Sequence, residues 1–294
     1  MESVGLSTVT QPVQDPADLL KRLAALPPFP STARRLLSIS TDSDTAIEEY
    51  EDAFKSDPAL AAELLRGANS IEFGLVGRVD NIRQALTLLG LDRVNSLAVT
   101  LAMRQYAAGA PRHKIIQPLW AHGIASAVIA EALASVRGYP PTGLYTAGLV
   151  HDVGRLGLLM ATTESRYAKF LAQPVAGRAE AAALEREQFG VTHGEVGAIM
   201  AQAWGFPAWL CDVIRYHDNP GEDRPVEERF RLAQIACLAA NAFGHGEHGD
   251  PPGVDARRLE PALPADLRGR TALEPEHLRQ RVAKLLFTLK RPRG

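Results

Sequence analysis

From Pro16 onward the chain places apolar residues at steps of three and four. Proline, glycine and helix-capping residues interrupt that pattern every ten to twenty residues, and no stretch shows the every-second-residue alternation of a half-buried strand. Such a chain can bury its apolar stripes only by packing short helices on one another. The expected fold is therefore all-α, a multi-helix bundle. The start and stop signals are explicit. Asp57-Pro58 pairs an N-cap carboxylate with proline at the first helical position. Thr192 and Glu195 have capping-box spacing and predict a helix through Trp204. Ser31, Ser43, Asn81 and Asp92 open further segments, and Gly90 closes the one begun at Asn81. Other predicted helices run from Pro16 to Leu26, Ile115 to Val136, Ala208 to Tyr216, Pro225 to Phe243 and Pro275 to Lys290. Another carries His151-Asp152, and two lie within 163–188 on either side of a break at Pro174–Gly177.

Four regions follow from this pattern: a disordered tail at 1–15, an N-terminal helical subdomain at 16–112, a second helical subdomain at 113–244, and a 245–294 segment. The last holds a Gly/Pro/Asp/Arg-rich loop, a final helix and the basic tail Lys290–Arg293. The 294 residues have a net charge of −2, so no overall field favours nucleic acid or an anionic membrane. The basic tail offers too few charges for phosphate-driven binding, and nucleic acid is not an expected partner. Uninterrupted apolar runs fall short of the ~20 residues that span a bilayer, and Met1–Gln14 lacks the pattern of a secretion signal. Cys211 and Cys237 lie in helical contexts and read as buried thiols. The expected location is cytoplasmic, without membrane contact.

The chemistry concentrates around Gly148-Leu149-Val150-His151-Asp152-Val153-Gly154-Arg155. Adjacent His and Asp supply a neutral nitrogen ligand and a carboxylate able to bridge two cations. His122 interrupts an apolar helical stripe, His193 opens a helix, and His217 ends one beside Asp218. Any one of these reads as a core or capping histidine. Four on inward faces of separate helices, with Asp152 and Asp218 at hand, make a shared polar or metal site the better reading. His113, His245, His248 and His277 fall in loops or at helix ends and read as solvated.

Taken in order, the motifs resemble the HDOD family, a branch of the HD phosphohydrolase superfamily found in bacterial signalling and related to HD-GYP proteins. They are Leu26-Pro27 with Pro30, Asp57-Pro58-Ala59-Leu60, Ala68-Asn69-Ser70, Ile82 to Gly90, Trp120-Ala121-His122, Gly148 to Gly154, His193 to Gly197, Trp204–Pro207 and His217. The resemblance spans roughly residues 18–244 and implies an N-terminal helical subdomain packed on an HD-like one. It implies metal ligands at His122, His151, Asp152, His193 and His217, with Asp218 where relatives carry a second adjacent histidine. Asn241 stands where the superfamily's final aspartate is expected, and an amide is a weaker, neutral ligand. Arg155 replaces the lysine that often follows the HD pair, and with Asp152 it forms the implied catalytic set. Gly138-Tyr139-Pro140 precedes the HD pair, unlike the GYP of HD-GYP enzymes, and reads as a turn. The implied cofactor is a divalent metal, iron, manganese or zinc, as one or two ions. The implied role is regulatory, through a signalling protein partner met in trans. The alternative is a metal-dependent phosphohydrolase or phosphodiesterase acting on a nucleotide or cyclic dinucleotide.

Overall fold

A computed structural model describes residues 16–41, 43–69, 79–108, 116–218, 227–246 and 263–290. The expected tail at 1–15, most of the 245–270 loop and residues 291–294 lie outside the described residues, as do His113 and His248. Among the described residues the secondary structure is helical, without a strand. The helices are α1 (Pro16–Ala24), α2 (Ser31–Ser38), α3 (Ala46–Lys55), α4 (Pro58–Ala68), α5 (Ile82–Leu89), α6 (Leu91–Ala108), α7 (Ile116–Arg137) and α8 (Pro141–Val150). They continue with α9 (Val153–Ala161), α10 (Glu164–Leu171), α11 (Arg178–Phe189), α12 (His193–Ala203), α13 (Ala208–Tyr216), α14 (Glu228–Ala242) and α15 (Pro275–Lys290). Short 3₁₀ turns at Ala265–Leu267 and Thr271–Leu273 precede α15.

The strong caps behave as their chemistry dictates. The Asp57 carboxylate accepts from the Leu60 amide, the Asn81 side chain from Gln84, and Thr192 with Glu195 closes a full capping box. Three expected caps do otherwise. Asp92 lies inside α6, which already begins at Leu91, because Gly90 at φ +78° turns the chain from α5 into α6 without a spacer. The Asp92 carboxylate instead accepts from the Thr142 hydroxyl on α8. Ser31 is the first residue of α2 rather than its cap, and Ser43 sits a turn before α3, bonded to Thr45.

Two apolar cores form. The smaller one gathers α2 to α6 around Leu36, Tyr50, Phe54, Leu64 and Leu86. The larger one is built on α7, whose residues 122–130 are all buried. α8, α14 and α15 pack against α7, while α12 packs on α9 and α13. α6 belongs to both cores: Leu97 and Leu101 face the smaller, Val99, Met103 and Tyr106 the larger. α1 joins the larger core through Leu19 and Leu23, and Phe29 after it stacks on Trp204 at 4.9 Å between ring centroids. Leu263, Leu267, Leu273, Leu278 and Val282 close the same core from the late segment.

α7 has the length and composition of a membrane span, with a mean hydropathy of 1.5 over an 18-residue window. That differs from the expectation drawn from uninterrupted apolar runs, since His122, Ser126 and Glu131 break the run without lowering the average enough. In the fold it is the central helix, wrapped by others, and apolarity on every side is what such a position demands.

Candidate metal centre

The His151-Asp152 pair lies in the break between α8 and α9 rather than within one helix. His151 caps the C-terminus of α8, and Asp152, at φ −100° and ψ 15°, starts α9. Two glycines let this break sink between its neighbours. A Cβ on Gly148 would lie 2.5 Å from the Ser126 carbonyl oxygen of α7, and one on Gly154 would lie 1.8 Å from the His193 carbonyl oxygen of α12. With these contacts the elements bearing His122, His151, Asp152 and His193 meet at one point, and α13 brings His217.

All four histidines are oriented alike. Nδ1 of His122 faces the His245 carbonyl at 2.7 Å, that of His151 the Gly148 carbonyl at 2.8 Å, and that of His217 the Ile214 carbonyl at 2.9 Å. Nδ1 of His193 lies 2.8 Å from both oxygens of Glu185, whose carboxylate also accepts the His193 backbone amide at 2.8 Å. Carbonyl and carboxylate oxygens only accept, so each Nδ1 carries the proton and donates it outward. Each Nε2 then presents a lone pair inward. The inward atoms crowd together: His122 Nε2 is 3.0 Å from His151 Nε2, and His193 Nε2 is 3.3 Å from His217 Nε2. Two lone pairs at that separation repel unless a proton or a cation lies with them.

Asp152 stands between the pairs. Its Oδ1 is 3.1 Å from both His193 Nε2 and His217 Nε2. Its Oδ2 is 3.0 Å from His151 Nε2 and 3.5 Å from His122 Nε2, yet this buried oxygen has no hydrogen-bond partner among the described residues. An orphaned carboxylate oxygen and facing imidazole lone pairs in a buried site fit a cation. The candidate ligand atoms form two groups, His122, His151, Asp152 and Cys237 in one and Asp152, His193 and His217 in the other, each within 4.8 Å of one another.

The remaining expected residues surround this centre. Asp218 is 3.3 Å from His193 Nε2 and 3.6 Å from His217 Nε2, and pairs with Arg178 at 3.1 Å. Arg155 is 2% exposed, and its guanidinium is directed at three carboxylates: Asp152 at 3.3 Å, Glu185 at 3.4 Å and Asp218 at 3.9 Å. Asn241 is buried on α14, with neither amide atom hydrogen-bonded among the described residues. One turn earlier on that helix, Cys237 puts its sulfur 3.4 Å from His122 Nε2 and accepts from Arg178 at 3.2 Å.

Three participants escape a reading of the sequence. Cys237 reads from the sequence only as a buried thiol in a helical context. Glu185, fully buried, fixes His193 from eight residues away, and nothing in the local pattern announces it. His245, expected to be solvated, is half-buried, and its carbonyl orients His122.

The charged groups of the cluster shift one another's proton affinities. Burial pushes the His151 imidazole toward the neutral form, but the Cys237 sulfur and the Asp152 carboxylate outweigh it and raise its proton affinity well above the ordinary value. Burial and Arg155 oppose a charge on His193, while Glu185, Asp152 and Asp218 overcome them and raise it well above the usual range. Burial would raise Asp152 and Cys237, yet the groups around them win: His151, His217 and Arg155 hold Asp152 well below the usual carboxylate range, and His151, Arg178 and His122 hold Cys237 well below the usual thiol range. The Asp152 carboxyl and the Cys237 thiol are thus both held toward their anionic forms, the forms that bind a divalent ion.

A helical bundle with a buried His/Asp centre at a helix break defines the HD-type class of all-α proteins. Residues 26–220 match the HDOD domain family, more than half of the chain, and the protein belongs to that family. The fold is similar to that of an HDOD domain protein of Geobacter sulfurreducens, 24% identical with a TM-score of 0.70 over 93% of this chain and 92% of that one. It is also similar to a candidate phosphohydrolase of Shewanella amazonensis, 23% identical with a TM-score of 0.66 over 92% of this chain and 94% of that one. A candidate signal transduction protein of Marinobacter aquaeolei is 22% identical with a TM-score of 0.65, over 95% of this chain and 67% of that one. An uncharacterized protein of Treponema pallidum is 25% identical over 236 residues, and the match covers 77% of this chain but 45% of that longer one. The chain thus spans less than half the length of this curated relative.

Proposed function

We propose that the protein is a bacterial, cytoplasmic signal-transduction protein that holds one or two divalent ions at the HD centre and acts by binding a signalling protein partner. The observation that carries the metal reading is the orientation of the histidines. Four Nδ1–H groups are spent on outward acceptors, and four Nε2 lone pairs converge on Asp152. His122, His151 and Asp152 would hold one ion; His193, His217 and Asp152, with Asp218 beside them, would hold the other. Bound there, a divalent ion supplies positive charge and Lewis acidity.

The narrowness of one approach to the centre favours regulation over turnover. Among the described residues, one crevice that reaches Asp152 has a volume of about 40 Å³, between apolar residues such as Met103, Leu119, Trp120 and Leu156. That admits about three waters, whereas sites for drug-sized ligands run to roughly 300–1,000 Å³. Arg155, already directed at carboxylates, is not presented to a phosphate. The second reading, hydrolysis of a nucleotide or cyclic dinucleotide, draws support from the fact that this crevice ends on Asp152.

Mass spectrometry of tag-free protein purified without chelators tests the reading. One or two equivalents of iron, manganese or zinc are expected, lost in His151→Ala/Asp152→Ala. A folded, metal-free wild type would overturn it. Hydrolysis of phosphodiester substrates by metal-loaded protein would move the assignment to the second reading.

A further inference from the structure

We propose that Cys237 is a thiolate ligand of the ion held by His122, His151 and Asp152, so that the chain carries a four-ligand His₂-Asp-Cys position for a sulfur-seeking ion, zinc above all, beside a His₂-carboxylate position of oxygen and nitrogen donors only. The inference deepens the metal reading above and rests on it.

The geometry singles out this sulfur. Cys237 is 1% exposed on α14, with its sulfur 3.4 Å from His122 Nε2, and it shares one 4.8 Å cluster with His151 and Asp152. Zinc bonds of about 2.0 Å to nitrogen and 2.3 Å to sulfur, held tetrahedrally, separate the ligand atoms by roughly 3.3–3.8 Å. The spacing of His122 from Cys237 falls in that range, and that of His122 from Asp152 Oδ2, at 3.5 Å, does as well, while His151 Nε2 lies closer, 3.0 Å from both His122 Nε2 and Asp152 Oδ2, and would move outward by a few tenths of an ångström around an ion. The orphaned oxygen of Asp152 faces this position rather than the other. Arg178 donates to the sulfur at 3.2 Å, as hydrogen-bond donors do to metal-bound thiolates, where they orient the ligand and temper its charge.

The two positions then differ in chemistry although they share one carboxylate. Two imidazoles, a carboxylate and a thiolate make a closed set of four protein donors, the number that structural zinc takes. Two imidazoles and a bridging carboxylate leave coordination open and suit iron or manganese. A chain built this way holds one ion to brace α7, α14 and the α8–α9 break, and exchanges the other.

Cobalt reports sulfur ligation directly. The full-length protein, stripped of metal and loaded with Co²⁺, is expected to show an intense near-ultraviolet thiolate-to-cobalt charge-transfer band. Cys211→Ser should keep the band. Cys237→Ser should lose it while retaining the weaker visible cobalt bands of the remaining position. Cys237→Asp should restore two-ion stoichiometry without the band. Should Cys237→Ser fail to fold, X-ray absorption on zinc-loaded Cys211→Ser protein still decides, since a sulfur shell at about 2.3 Å is expected with Cys237 as the remaining thiol. Visible cobalt bands without charge transfer, or a zinc shell of nitrogen and oxygen alone, would overturn the thiolate assignment and leave the metal reading standing. A wild type that takes up neither cobalt nor zinc would overturn both.

Discussion

At the scale of single residues, the centre depends on side chains that never touch its interior. Glu185 is the clearest. Its carboxylate accepts both from His193 Nδ1 and from the His193 backbone amide, and it lies within reach of Arg155. It therefore fixes the tautomer, ring angle and charge of His193 at once. Outer partners of this kind are worth about 10–100-fold in metal affinity. Glu185→Gln should weaken the His193/His217 position by that factor in a competitive chelator titration and leave the other position within about twofold; equal affinity at both positions in the variant would remove Glu185 from this role. Gly154 acts through space alone. Its missing side chain is what lets α9 approach α12, since a Cβ there would meet the His193 carbonyl oxygen at 1.8 Å. Overpacking against backbone cannot be relieved by a rotamer change, so Gly154→Ala should cost about 3 kcal/mol, at the upper end of the usual range, in urea unfolding. A loss below about 0.5 kcal/mol would mean the helices are not that close. The residue scale is also where the sequence was least explicit. His122 was legible because it interrupts an apolar stripe, His151 by its adjacent aspartate, and His193 and His217 by their places at helix ends. Cys237 continued such a pattern, since a thiol reads as one more small apolar group, and Glu185 and His245 act through contacts that no local spacing encodes.

At the scale of helices, legibility tracked the strength of the terminal signals. Asp57 with Pro58, Asn81, and Thr192 with Glu195 pair a side-chain acceptor with an orphan amide in the first turn, and those starts lie where the pattern puts them. Asp92 carries the same chemistry but was drawn away. Gly90 had already turned the chain, and the carboxylate found a tertiary donor in Thr142. A capping residue states that an amide needs an acceptor, and tertiary structure decides whose. The break at His151-Asp152 is the costlier case, because apolar residues on both sides disguise the end of one helix and the start of the next. Where a cap is local its value is predictable. Thr192 accepts from the Glu195 amide, and Glu195 accepts from the Thr192 amide at 2.9 Å. Thr192→Ala should lower stability by about 1 kcal/mol, within a span of roughly 0.5–2, measured by chemical denaturation. Because α12 also carries His193, metal affinity should fall along with it. A stability change indistinguishable from zero would show that the box contributes nothing here.

At the scale of the whole molecule, the sharing of α6 between two cores decides how the protein should come apart. The smaller core buries Tyr50 and the larger buries Tyr106, and neither hydroxyl has a hydrogen-bond partner among the described residues. Burial raises Tyr106 from its ordinary value of 10.0 to about 12, and burial together with the Asp92 carboxylate raises Tyr50 as well. Both shifts are upward, so the unfolded chain releases these protons first. The stability of the neutral phenols is fully present below pH 10, then declines as pH rises through the raised values. The slope should be about 1.4 kcal/mol per pH unit for each tyrosine not yet ionised in the folded state. Tyr106→Phe removes one of these groups without leaving an unpaired partner, and should make stability less steeply dependent on pH between 10 and 12 while changing it little at pH 8. Tyr50→Phe should act likewise. If α6 couples the cores, each variant will shift one common unfolding midpoint, monitored by circular dichroism through the alkaline range. Two separate transitions, each answering to one tyrosine alone, would show instead that the cores unfold independently and that α6 joins them without coupling them.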